Sequence, residues 1–102
     1  MFWLTKIKKL ADEMLDEICS AKNYAEMYVE YKSKGDSSWA NRFKEMATDE
    51  LKHSGYLHEL AVAEIDTLSK VFEPPQAMLD KWEKDHSKYV EKTAWVRQML
   101  SM

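Results

Sequence analysis

The feature that most constrains this chain is how little in it can interrupt a helix. Its 102 residues hold two glycines and two prolines, the prolines adjacent at Pro74-Pro75. These are the residues least compatible with a helix interior, and the stretches between them are rich in Ala, Glu, Lys, Leu and Met, which predicts an all-α chain. A first helix is expected over about residues 4–33, ending at Lys34-Gly35, where glycine suits a left-handed C-terminal cap. Asp36, Ser37 and Ser38 offer N-cap side chains for a second helix over about 37–70. So short a link makes the two an antiparallel hairpin. Pro74 and Pro75 lack N–H donors and break the pattern, and Pro75 fits the first turn of a third helix over about 75–100. A chain of this length makes one domain, either alone or as a protomer whose core an oligomer completes.

Charge and cysteine content narrow the partners. With 32% charged and 45% hydrophobic residues and a net charge of −3, the chain reads as globular, with no general attraction to nucleic acid or anionic membrane. Lys6, Lys8 and Lys9 read as a solvated helix face. Cys19 is the only cysteine, so an intramolecular disulfide is impossible and a reducing setting fits. No apolar run has the length of a signal peptide core, or the ~20 residues of a membrane span. The expected location is the cytoplasm or the inside of a protein compartment.

At ~100° per residue the apolar positions fall into inward stripes. Helix 1 presents Ile7, Leu10, Met14, Ala21, Tyr24, Ala25 and Tyr28, with Glu17 in the same arc. Helix 2 presents Trp39, Phe43, Met46, Leu57, Leu60, Ala61 and Leu68, with Glu50, His53 and Glu64 among them. Helix 3 presents Met78, Leu79, Trp82, Tyr89, Val90, Val96 and Leu100. Cys19 points away from the first stripe, His58 lies about 100° from the centre of the second, and Trp95 and Glu91 face away from the third. Trp95, with Met99 and Met102 nearby, suggests a protein-contact patch.

Glu50-Leu-Lys-His53 carries the chemistry. Residues i and i+3 share a helix face, so Glu50 and His53 can grip one ion together. A lone Glu-x-x-His is a short motif with a real false-positive rate; its neighbours matter more. Ionisable groups on an apolar stripe are costly to bury without partners, and Glu17 adds a third on the opposing helix. Counted from Asp36, Glu17 lies 19 residues before the turn, Glu50 14 and His53 17 after it. At ~1.5 Å rise per residue that offset is a few ångströms. Carboxylates with one imidazole suit iron or manganese, whereas structural zinc more often uses thiolates. Glu64, inward but roughly two to three turns from His53, is expected to pair with a lysine, the alternative being a place along an ion path.

Glu17-Ile-Cys-Ser-Ala-Lys-Asn-Tyr24, followed by Glu50-Leu-Lys-His53, resembles the first half of a ferritin-like, rubrerythrin-type di-iron carboxylate protein, over roughly residues 7–68. The resemblance implies Glu17 as a terminal carboxylate ligand, Glu50 as a metal-bridging carboxylate, His53 as the nitrogen ligand and Tyr24 as a phenol beside the ligands or a redox-active one, the alternative for Tyr24 being a core aromatic. It also implies two irons per completed site, with manganese an alternative, and ferroxidase- or peroxidase-type chemistry. A complete site of this kind takes a Glu from each of two helices and Glu-x-x-His from each of two others. This chain has three. One solution, which resembles the arrangement of encapsulated ferritins, is a homodimer or larger oligomer whose paired hairpins form the four-helix bundle. The other uses helix 3, where Glu83-Lys-Asp-His86 repeats the motif, although Glu83 sits at the edge of the stripe. A metal-free or structural-metal helical interaction module on the same scaffold is the competing reading.

Overall fold

The computed structural model describes residues 2–102, with side chains from residue 4 onward. It is all-helical: α1 (Phe2–Ser33), α2 (Ser37–Val71) and α3 (Gln76–Leu100), with no strand among the described residues. The three helices form a rod of 55 × 17 × 16 Å. No helix among the described residues is long and apolar enough to cross a membrane.

The α1–α2 turn follows from two residues. Gly35 takes φ 79°, the left-handed region that glycine enters without steric cost. There its N–H bonds the Lys32 carbonyl at 3.1 Å, and the Asp36 N–H bonds that of Tyr31 at 3.0 Å, the paired bonds of a Schellman cap. Asp36 then caps α2, its Oδ1 accepting from the Trp39 N–H at 3.1 Å. Gly35→Ala has open space around its new Cβ but the wrong backbone region. It is expected to cost about 1–2 kcal/mol in urea unfolding, with helix content unchanged. At the second turn Pro75 is the N-cap residue and α3 begins at Gln76, one residue later than its place in the first turn would have it.

Packing departs from the expected stripes on α2. Its buried line is Ala40, Ala47, Ser54, Ala61 and Leu68, one residue every seven. Trp39, Met46 and Leu60, expected inside, are 46%, 39% and 43% exposed. The reason is close approach: small side chains let α2 lie tightly along α1, and the large apolar ones fall roughly 60–100° round the helix from that line. α1 buries Ile7, Leu10, Ala11, Met14, Ile18, Ala21, Ala25 and Tyr28. Lys6–Glu64 and Tyr31–Phe43 contacts near opposite ends establish that the hairpin is antiparallel.

α3 docks mainly on α1. Val96 and Met99 join Ile18, Ala21, Ala25 and Ala47 in one core cluster. Nearer its start, Lys81 bonds Asp85 at 2.6 Å and Asp12 of α1 at 3.0 Å. Asp85 is only 5% exposed, so the ammonium is its counter-charge. The hydrogen bond that Lys81 donates to Asp85 is the main cause of its raised pKa, with burial opposing and Asp12 adding to the rise.

Candidate metal centre

α1 and α2 bring Glu17, Glu50 and His53 together. One donor atom from each lies within 4.8 Å of the others, the one such group of three or more among the described residues. His53 Nδ1 is 3.6 Å from Glu50 Oε1 and 3.9 Å from Glu17 Oε2. Both separations exceed hydrogen-bond length, so the imidazole is not spent on either carboxylate. No hydrogen bond to the side chain of Glu17 or Glu50 forms among the described residues. His53 is half-exposed, the carboxylates less so. Two carboxylate oxygens and an imidazole nitrogen make a donor set for a divalent first-row metal. Ligand bonds of about 2.0–2.2 Å require only a small contraction of this group. Three donors leave further coordination positions open.

The cluster sits on an uncovered face. Tyr24 lies seven residues after Glu17 on the same flank of α1 and stacks on Phe43 of α2 at 6.4 Å between ring centroids. Phe43 also contacts Tyr31 at 5.5 Å and Trp39 at 5.9 Å, so an aromatic patch flanks the cluster toward the turn. Leu57 and Leu60 flank it on the other side. Beyond them Lys6 holds Glu64 at 2.8 Å, the lysine pairing expected for that residue.

Helix α3 lies elsewhere. Its neighbours on α1 include Asp12, Leu15, Lys22 and Glu26, roughly 180° round that helix from Glu17 and Tyr24 at ~100° per residue. Glu83 is exposed and His86 stacks on His58 of α2 at 5.0 Å; neither belongs to the Glu17–Glu50–His53 group. His58, whose offset from the α2 stripe predicts an exposed or boundary position, is half-buried and also stacks on Tyr89 at 5.1 Å and Trp82 at 6.0 Å. Spacing within α2 carries no signal for that contact, because its partners lie on another helix. Trp95 is 51% exposed beside a groove of about 570 Å³ shared with Lys22, Glu26, Glu91 and Lys92. Met99, expected on the same patch, is buried against α1, while Met102 is exposed. Cys19 and Glu91 are exposed.

No family model, curated protein or solved structure matches this chain.

Proposed function

We propose that two copies of this chain pair their hairpins into a ferritin-like four-helix bundle that holds two irons and performs ferroxidase- or peroxidase-type oxidoreductase chemistry. The observation that carries this reading is the convergence of Glu17, Glu50 and His53, free of competing hydrogen bonds, on a face that α3 leaves open. One chain supplies half of the carboxylates and imidazoles such a bundle centre takes. By the resemblance of Glu17, Glu50 and His53 to the rubrerythrin-type ligand set, Glu50 would hold the metals as a shared carboxylate, with Glu17 and His53 as terminal ligands. Bound iron would supply the electrons, one from each Fe(II), enough together with two protons to reduce hydrogen peroxide to water. Manganese fits the same donors.

The spacing along α2 supports an antiparallel pairing about a two-fold axis midway between Glu50 and His53. Met46 precedes Glu50 by four residues as Leu57 follows His53 by four. Phe43 and Leu60 stand off by seven, Trp39 and Glu64 by eleven. Such a pairing sets Met46 against Leu57, Phe43 against Leu60 and each Glu50 against the other chain's His53, as an isologous contact requires. It would bury large side chains that the single chain leaves in water.

A metal-free interaction module would use the same apolar face. Anaerobic Fe(II) loading followed by elemental analysis and mass in solution separates the two. About two irons per pair of chains are expected, and a folded pair without iron would overturn the di-iron reading.

A further inference from the structure

α2 and α3 meet through few groups, and those groups are unusual. Trp82, His86 and Tyr89 recur at i, i+4 and i+7, forming one stripe along α3, and the His58 ring lies on it. The His58–His86, His58–Tyr89 and Trp82–His86 centroids are 5.0, 5.1 and 5.5 Å apart, with interplanar angles of 22°, 12° and 28°. Neutral imidazoles pack in such a stack as ordinary aromatic rings. A single imidazolium is tolerated there, because Trp82 and Tyr89 offer ring faces to a cation. Two imidazolium ions at this separation repel one another in a half-buried seam.

The surrounding charges do not relieve that repulsion. Glu59, beside His58 on α2, favours the imidazolium, but burial and the His86 charge outweigh it and lower the His58 pKa, burial being the larger cause. On α3, Lys81 and Asp85 flank the stripe and bind each other, and the α1 charge they reach is Asp12. Glu83, three residues before His86, is exposed. Because the folded pKa of His58 is depressed, its contribution to the closed seam is complete above the ordinary histidine value near 6.5. It is lost as pH falls through the lower folded value.

We infer that the α2–α3 seam is an acid-sensitive latch, whose two halves are His58 and His86 and which opens when both imidazoles carry a proton. The opening is local. The Val96 and Met99 contacts continue to hold the C-terminal part of α3 to α1, so acid loosens the part of α3 that carries Trp82, His86 and Tyr89 without releasing the whole helix.

Hydrogen exchange on the full chain tests this. Between about pH 7.5 and pH 5.5, after correction for intrinsic rates, protection over residues 78–89 is expected to fall about tenfold while residues 96–100 keep theirs. His58→Phe together with His86→Phe keeps ring packing but cannot bind a proton, so the difference should vanish. Unchanged protection in the wild type at the lower pH, or an equal loss in the double variant, would overturn the latch. If the double variant does not fold, imidazole proton NMR of the wild type decides the matter. His58 is expected to titrate below the ordinary histidine range, and an unshifted His58 would exclude the latch.

Discussion

Replacing Glu50 with alanine is expected to abolish iron retention and leave the helices intact. The carboxylate makes no hydrogen bond among the described residues and nears His53 only at 3.6 Å. Its loss should therefore move folding stability by no more than about 0.5 kcal/mol, the usual range for a substitution that breaks no buried contact. Metal affinity behaves differently. Changing groups that merely orient a ligand typically costs 10–100-fold, so losing one of three donors should cost at least about a hundredfold. His53→Ala should act the same way, since the carboxylate pair alone lacks the nitrogen donor. The measurement pairs elemental analysis after anaerobic loading and desalting with thermal unfolding of the apo-protein. Iron lost with the unfolding midpoint kept is the expected result. Equal iron in wild type and Glu50→Ala would remove the cluster from consideration.

Cross-linking tests the pairing without metal. In a Cys19→Ser background, Phe43→Cys together with Leu60→Cys is expected to give covalent dimers with a short bismaleimide, because the antiparallel register brings each position to the other on the second chain. Either substitution alone should give almost none, since position 43 would lie ~26 Å along the helix from its own copy, at ~1.5 Å per residue. A parallel pairing reverses the pattern, with the single variants joining to themselves. A dimer by mass with no link in the double variant would overturn the register but keep the second copy. A chain that remains monomeric at high concentration would overturn the pairing itself, whatever iron it binds.

Much of this architecture is legible in the residues, for local reasons. Gly35 and Asp36 act through backbone geometry within a few residues, and Pro74-Pro75 through missing donors, so these signals survive any tertiary context. The meeting of Glu17 with Glu50 and His53 also follows from arithmetic, once a tight turn fixes the register of two helices. The buried line of α2 is weakly marked in the residues. Ala40, Ala47, Ser54 and Ala61 carry little hydrophobic weight beside Trp39, Met46 and Leu60, yet close helix approach selects for small size rather than transfer energy. The sequence stripe thus marked the apolar flank of α2, whereas the core lies along the edge of that flank. His86 and His58 met for a third reason: the placement of α3 depends on long-range contacts, among them Lys81–Asp12, that no periodicity within one helix reports.

The line of small side chains along α2 also has a bearing on how this chain can change over time. It divides the hairpin lengthwise, with Glu50 and His53 on one flank and His58 on the other, and among the described residues no ion pair or ring contact joins the two. Sites without shared partners contribute to stability additively. A lineage could therefore acquire or discard the inferred response to acid through His58 and His86 while the proposed metal chemistry stays under separate selection, two traits carried in one short polypeptide but mutable one at a time.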